Sequence, residues 1–394
     1  MSSSGRTFKR TLVGRRMPMG SLDEQRLPRW IALPIFASDP LSSVAYATEA
    51  GLVVLIASSL ASRSLIVPIS AIIAALLIVV VLSYRQTIFA YPNGGGSYVV
   101  AKENLGQLAG LVAAASLLTD YVLTAAVSIA SGVLAVTSAV PELSSHAVEL
   151  SLGVLIMLVL VNLRGVRESG FTFALPTYGF VIAIGAMIAV GLVRGIVSGW
   201  PTAHVPDPVH VGLASGVGLV VLLRAFASGC SALTGVEAIS NGVPAFRRPQ
   251  ARNAASTLMW MGMIAVVLFL GVSILAWKID ARPSGSVSVI SEIARAVFPP
   301  GGSSFGYYAV QATTAAVLAL AANTAFQGFP RLAALLASDS FLPRQFSNLG
   351  DRLVYSNGIL VLALAAGALI IGFHADVNSL IHLYLLGVFT AFTL

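Results

Sequence analysis

Long apolar runs separated by short polar segments dominate the hydropathy pattern of this chain. A membrane-crossing helix needs about 20 mostly apolar residues, and ten runs come near this length or exceed it. They occupy residues 31–57, 67–90, 107–139, 148–163, 171–193, 211–241, 254–277, 305–328, 353–373 and 377–394, numbered here as spans 1 to 10. The pattern predicts an all-α integral membrane protein, with a membrane domain over residues 30–394 after a polar segment over residues 1–29.

Two of these spans carry a polar interruption near the middle. Span 1 contains FASDPLSSVAYATEA, residues 36–50, where Pro40 lacks a backbone donor and Asp39 resists burial in lipid. Span 6 contains FASGCSALTGVEA, residues 226–238, which is small, polar and weakly helical. The sequence therefore predicts that both helices are discontinuous.

The two interruptions occupy matching positions in two halves of five spans, over about residues 31–193 and 211–394. Because five is odd, spans 1 and 6 enter the membrane from opposite sides, and the halves form an inverted repeat. Broken helices at matching positions are the best sequence indication of a transporter's binding site. An ordinary proline kink is the alternative interpretation of each interruption.

Basic residues indicate how the spans are oriented. Seven of the 23 Lys and Arg residues lie among the first 29 residues, and an inside N-terminus places 17 on the cytoplasmic side against five outside. Cytoplasmic loops carry such an excess. The net charge of +7 therefore reflects membrane topology and not nucleic-acid binding, and residues 1–29 form a cytoplasmic basic segment.

The remaining composition excludes several classes of protein. The only cysteine, Cys230, excludes an internal disulfide and argues against a cysteine-rich metal site. The chain has no His-Glu-x-x-His motif and no nucleophile elbow, so we do not expect an enzyme. Span 10 runs apolar to Leu394 without a polar tail, so we expect the chain to be truncated before further C-terminal helices or a soluble domain.

Acidic and hydroxyl side chains inside the spans form the candidate site. A carboxylate at the bilayer centre costs about 2.5–3.5 kcal/mol, so it needs a partner or a function. Asp120, Thr124 and Ser128 recur at i, i+4 and i+8 on span 3 and form one polar stripe, which Tyr121 flanks. Carboxylates, hydroxyls and phenols are the oxygen ligands that replace the water of a monovalent cation.

We therefore expect a cation pocket between spans 1, 3, 6 and 10. Asp39 and Asp120 are its charged ligands, and Glu237 is the candidate for a proton-coupling acid. The neutral ligands or gates are Tyr46, Thr124, Ser128, Thr234 and Tyr384.

Simpler roles stay open for several residues of the candidate site. Asp39 can cap the second half of span 1. Glu49, near the outer end of span 1, is interpreted as a solvated vestibule charge outside the site. Arg224 either pairs with a carboxylate or lines an outer cavity. Thr124 and Ser128 can hydrogen-bond to their own helix. Tyr121 can serve only in packing, and Tyr384 can be an interfacial anchor.

A glycine-rich segment, YPNGGGSYVVAKENLG, follows span 2 over residues 91–106. Three successive glycines can cradle a phosphate, but the following helix lacks the Gly-Lys-Ser/Thr ending of a phosphate loop. We expect this loop to pack closely against the inner ends of the helices.

Four segments together carry a family resemblance: SDPLSSVAYATE (38–49), YPNGGGSY (91–98), TDYVLT (119–124) and SALTGVE (231–237). They resemble the KimA-type potassium importers of the amino acid–polyamine–organocation superfamily, from about residue 30 to the end. The resemblance implies the LeuT-type 5+5 fold, potassium uptake driven by a proton, no cofactor, and a homodimer in the bacterial plasma membrane. Family members carry two further helices and a cytosolic C-terminal domain, and some are inhibited by cyclic di-AMP.

The resemblance assigns ion-site roles to the residues of the candidate pocket, with Glu237 nearby as the proton candidate: Asp39, Tyr46, Asp120, Tyr121, Thr124, Ser128, Thr234 and Tyr384. The alternatives are an amino-acid or polyamine permease of the same superfamily, or a passive cation channel. Amino-acid members usually break span 1 with glycines whose amides hold the substrate carboxylate. Asp39 would repel that group, whereas it would not repel a polyamine.

Overall fold

The computed structural model describes residues 27–92, 94, 96–164, 170–203, 218–284, 286–299, 304–350, 354–381 and 383. Over these residues the chain is helical, with one isolated β-bridge between Leu27 and Phe246. Eight helices are long and apolar enough to cross a membrane, and Ser356–Gly372 is a shorter apolar helix. They correspond to spans 1 to 9, whereas most of span 10 lies outside the described residues.

The α-helices are, in chain order, α1 Arg29–Ser42, α2 Val44–Ser58, α3 Ile66–Ala90, α4 Gly96–Leu105, α5 Gln107–Ala139, α6 Ala147–Leu163, α7 Gly170–Val197, α8 Leu219–Gly229, α9 Glu237–Asn241, α10 Gln250–Ile279, α11 Val289–Val297, α12 Ser304–Ser338 and α13 Ser356–Gly372. Span 1 consists of α1 and α2, and span 6 consists of α8 and α9. The short helices α4 and α11 lie between spans.

Span 1 is interrupted less than its sequence predicts. Helix α1 continues through Pro40 to Ser42, and only Ser43, which keeps helical backbone angles (φ −64°, ψ −21°), separates it from α2. Pro40 removes one backbone donor, while the hydroxyls of Ser42 and Ser43 donate to the carbonyls of Asp39 and Pro40 at 2.8 and 2.7 Å. The discontinuity is therefore a single residue, three positions after the proline.

Helices from the two halves of the chain pack in corresponding pairs. Helix α2 packs against α8, α3 along α10, α5 along α12, and α6 against α13. In span numbers these pairs are 1 with 6, 2 with 7, 3 with 8 and 4 with 9. The two members of each pair are thus five spans apart.

Glycines permit the closest of these helix crossings. A Cβ atom at Gly358 of α13 would lie 2.7 Å from the Cα atom of Pro330 in α12. A Cβ atom at Gly262 of α10 would lie 2.8 Å from Cγ2 of Val81 in α3. Small residues let membrane helices approach closely where no hydrophobic effect drives their association, so these positions hold the scaffold together.

Replacing Gly358 by Ala is expected to lower the free energy of unfolding by about 1–3 kcal/mol, because the new methyl group meets backbone and overpacks the crossing. The matched control is Gly153→Ala in α6, where a Cβ atom would meet nothing within 4 Å. Thermal unfolding of both variants in detergent measures the difference. Equal melting temperatures for the two variants would contradict this packing.

Candidate functional site

Span 6 is broken in its middle, as its sequence predicts. After α8 the chain forms a 3₁₀ turn over Cys230–Leu233, becomes extended at Thr234 (φ −67°, ψ 149°), and turns left-handed at Gly235 (φ 77°) before α9. A side chain on a left-handed residue costs about 1–2 kcal/mol, so glycine suits this position. The backbone N–H and C=O groups between α8 and α9 are consequently outside the hydrogen-bonding pattern of a regular α-helix.

Asp39 of span 1 lies directly against this break. A Cβ atom built on Gly235 would be 2.6 Å from Oδ2 of Asp39 and 2.8 Å from Cδ of Pro40. The side chain of Ser43, the N-cap residue of α2, makes no capping hydrogen bond. Asp39 is 4% exposed. The carboxylate therefore faces the opened backbone of span 6 at the point where spans 1 and 6 meet.

Three carboxylates are buried around this point. Asp39, Asp120 and Glu237 are each at most 5% exposed, and they lie within electrostatic range of one another. In the described part of the chain none of them forms an ion pair, and the Oδ1 atoms of Asp39 and Asp120 have no hydrogen-bond partner. Three such charges would together cost about 8–10 kcal/mol on insertion scales, which approaches the stability of a whole domain. A bound cation or bound protons would relieve that cost.

Two of the acids, Asp39 and Glu237, adjoin a cavity of about 220 Å³ that reaches the surface at the exposed side chain of Arg331. Asp39 and Glu237 lie on its wall together with Tyr121. Among the described residues no three His, Cys, Asp or Glu side chains are close enough to share a metal ion. An ion in this cavity would therefore complete its shell with neutral oxygens.

Tyr121 and the hydroxyl residues predicted for the site are buried or partly buried near this level. The ring of Tyr121 packs on Gly328, where a Cβ atom would lie 2.5 Å from the Cζ atom. The hydroxyl of Ser128 has no hydrogen-bond partner in the described chain, so it does not bond to its own helix. Thr234 donates to the carbonyl oxygen of Ser231 at 2.9 Å. Tyr46 and Thr124 are buried, whereas Tyr384 lies outside the described residues.

Two polar residues near the break were not predicted from the sequence. The Oγ atom of Ser231 and the Oδ1 atom of Asn241 are buried without a hydrogen-bond partner among the described residues, and Asn241 lies on the cavity wall. Ser231 stands in the SALTGVE segment and could have been found there, since it is three residues before Thr234. Nothing in the sequence marks Asn241, which ends α9.

The glycine-rich loop packs closely against the end of span 6 formed by α9. A Cβ atom at Gly94 would lie 3.0 Å from the carbonyl oxygen of Asn241, and one at Gly96 would lie 2.5 Å from its Oδ1 atom. Both glycines have positive φ angles and line the cavity. The loop therefore forms one wall of the cavity.

A family model described as "Amino acid permease" matches residues 32–394. The chain belongs to this family of permeases. The potassium transporter KimA of Bacillus subtilis (strain 168) is 46% identical over 392 residues, which are 98% of this chain and 63% of that protein. The permease thus spans less than two thirds of the length of this relative.

The interpretation of Glu49 as a solvated vestibule charge was wrong. Glu49 is 3% exposed, and its Oε2 atom accepts the backbone N–H of Val289 at 2.9 Å. The sequence gives no sign that α11 folds over the end of span 1 and covers this carboxylate. Arg224 is exposed and forms no ion pair in the described part of the permease.

A second acid on α11 accompanies Glu49. Glu292 is 2% exposed and accepts the backbone N–H of Arg282 at 3.0 Å. Burial and then the nearby Glu49 raise the pKa of Glu292 to about 8, against the lowering effects of Arg282 and Arg295. Two buried acids, Glu49 and Glu292, therefore lie near each other at α11.

This raised pKa predicts a loss of stability as the pH rises. Between about pH 4.5 and 8 the folded permease holds a proton on Glu292 that the unfolded chain has released, so the free energy of unfolding falls by at most about 1.4 kcal/mol per pH unit. Glu292→Gln removes this contribution and flattens the slope of melting temperature against pH. Glu142→Gln, at an exposed position, serves as control; equal slopes for Glu292→Gln and the unaltered chain would contradict the assignment.

Proposed function

We propose that the protein is a secondary active transporter that imports potassium across the bacterial plasma membrane, coupled to proton entry. The observation that carries this proposal is Asp39 pressed against the broken backbone of span 6, in a group of buried acids without a basic partner. The 46% identity to a potassium transporter supports it. A monovalent cation supplies the charge that these acids lack.

The size and chemistry of the cavity support a small ion as the substrate. Its volume of about 220 Å³ is below the range of about 300–1,000 Å³ that is usual for pockets of organic ligands. Unpartnered oxygen atoms of Asp39, Asp120, Ser128 and Ser231 and the free backbone around Thr234 provide hard ligands. A partly dehydrated potassium ion needs such a set.

The pairing of helices five spans apart supports a LeuT-type inverted repeat over residues 30–394, with spans 1 to 5 and 6 to 10 as its halves. In this proposal residues 1–29 are a cytoplasmic segment, and the N-terminus lies inside. The cavity then opens to the cytoplasm, because the glycine-rich loop and the end of α9 lie on that side. The cover formed by α11 closes the outside, as expected of an inward-facing state.

Alternating access would follow from these parts. Potassium and a proton enter from outside, and each inward charge gains about 2.3 kcal/mol per 100 mV, so that two charges gain about 4.6 kcal/mol. The bundle that contains spans 1 and 6 then rocks against the remaining helices. In this mechanism Asp39 and Asp120 bind the ion, Tyr46, Tyr121, Thr124, Ser128, Thr234 and Tyr384 are neutral ligands or gates, and Glu237 carries the proton.

The wider assembly is part of the same proposal. The resemblance to the KimA-type importers supports a homodimer, and it supports cyclic di-AMP as a ligand of a C-terminal domain in those members that have one. A transported ion and a proton require no cofactor.

The family model favours one second candidate, an amino-acid or polyamine permease. An amino acid brings its own carboxylate, which Asp39 would repel, whereas a polyamine would not be repelled. Competition of potassium uptake by spermidine or by amino acids would favour this candidate, and potassium flux without proton flux would favour a channel.

Asp39→Asn and Asp120→Asn are each expected to lower potassium uptake about tenfold or more, because each removes a charged ligand worth at least about 1.4 kcal/mol. Uptake and growth are measured in a potassium-starved, transporter-deficient bacterium that expresses the full-length protein. Glu103→Gln, at an exposed acid of α4, should leave uptake unchanged. Undiminished rescue by both aspartate variants would refute the site.

Glu237→Gln is expected to uncouple proton entry from potassium entry, because an amide cannot carry the proton. Proteoliposomes with an internal pH dye should acidify when potassium is added outside, and the Glu237→Gln protein should no longer acidify them. The control is again Glu103→Gln, which should acidify the proteoliposomes as the unaltered protein does. Potassium-dependent acidification that persists in Glu237→Gln would assign the proton to another group.

A further inference from the structure

A second, larger cavity lies on the outer surface of the helix pair formed by α3 and α10. Its volume is about 710 Å³, and it is separate from the cavity that contains Asp39. Gly262 lets the two helices approach at its floor, where a Cβ atom would lie 2.8 Å from Val81. Exposed apolar side chains form its walls, among them Ile78, Leu82, Phe89, Met259, Trp260 and Met263.

The charge of this groove is concentrated at one end. Arg85 lies five residues before the end of α3, and Arg252 lies two residues after the start of α10. Both are exposed, both line the groove, and neither forms an ion pair in the described part of the chain. Ser256 stands one helical turn after Arg252 on the same wall. None of the lining residues is acidic.

The dimensions of the groove fit one leaflet of a membrane. Its wall on α10 runs from Arg252 to Val267, which is about 22 Å at 1.5 Å per residue. A bilayer is about 40–45 Å thick including its headgroup regions, so one leaflet with its headgroups is about 20–22 Å deep. With the arginines at headgroup level at the end of the helices, the apolar wall spans the depth of the acyl chains of that leaflet.

We propose that this groove binds one anionic phospholipid, with its phosphate between Arg85 and Arg252 and its acyl chains along the apolar wall. Charge complementarity selects the occupant: two unpaired cations require an anion, and the long apolar wall requires a hydrocarbon chain. Inorganic phosphate would leave that wall unused. With the N-terminus inside, both arginines face the cytoplasmic leaflet, where anionic lipids concentrate.

Helix α10 also packs against α1 of span 1, so a lipid seated here touches a helix that contacts the bundle that alternating access would move. A lipid in the groove would bridge α3 and α10 from outside and stabilise their pairing. This role is additional to the proposed ion transport, and it does not depend on which substrate is carried.

Native mass spectrometry of the full-length protein in detergent tests this inference. The protein is titrated with phosphatidylglycerol and, separately, with phosphatidylcholine of the same acyl chains. We expect tighter binding of one phosphatidylglycerol by about tenfold, and we expect the double variant Arg85→Gln, Arg252→Gln to lose this preference while it retains weak phosphatidylcholine binding.

The matched control is the double variant Arg224→Gln, Arg344→Gln, which removes the same charge from two exposed arginines outside the groove and should keep the preference. Equal binding of the two lipids by the unaltered protein would overturn the proposal. So would displacement of phosphatidylglycerol by millimolar inorganic phosphate, or an unchanged preference in the Arg85→Gln, Arg252→Gln protein. A change from dimer to monomer in that variant, without any lipid preference, would make the groove a protein interface and would equally overturn it.

Discussion

The burial of three carboxylates without a basic neighbour is the constraint on which the rest of this structure depends. Asp39, Asp120 and Glu237 lie within range of one another, and no ion pair relieves them in the described part of the chain. Ionised together inside a bilayer they would offset most of the folding free energy of a domain. Protons or a cation at the proposed site would remove this cost, and in the proposed function this links occupancy of the site to the stability of the fold.

The break in span 6 makes such a site possible. Gly235 turns left-handed and has no Cβ atom, so Asp39 and Pro40 approach its backbone to a distance that any side chain would prevent. Span 1, in contrast, is nearly continuous, and the hydroxyls of Ser42 and Ser43 donate to the carbonyl oxygens of Asp39 and Pro40. In the proposed function the ligands come from one side chain on this helix and from the opened backbone of its partner. Packing of helices five spans apart brings the two together.

Much of this arrangement could be predicted from the sequence, because hydropathy and helical periodicity act locally. Nine of the ten predicted spans coincide with apolar helices, and the break in span 6 falls within FASGCSALTGVEA. The burial of Glu49 could not be predicted, since it depends on α11, which is distant in sequence and folds over the end of span 1. Likewise, the place of Asn241 on the cavity wall, where the glycine-rich loop packs on it, depends on contacts between distant parts of the chain. The chemical roles of the predicted site residues, and the position of Tyr384, stay predictions.

Anomalous diffraction from crystals of the full-length protein grown in rubidium, a heavier substitute for potassium, tests whether a cation binds where Asp39 meets the break in span 6. We expect one strong anomalous peak beside the Asp39 carboxylate and the backbone at Thr234 and Gly235, and its loss in crystals of the Asp39→Asn protein. A saturating rubidium concentration that leaves this place empty, or a peak that is bound elsewhere and survives the substitution, would contradict it.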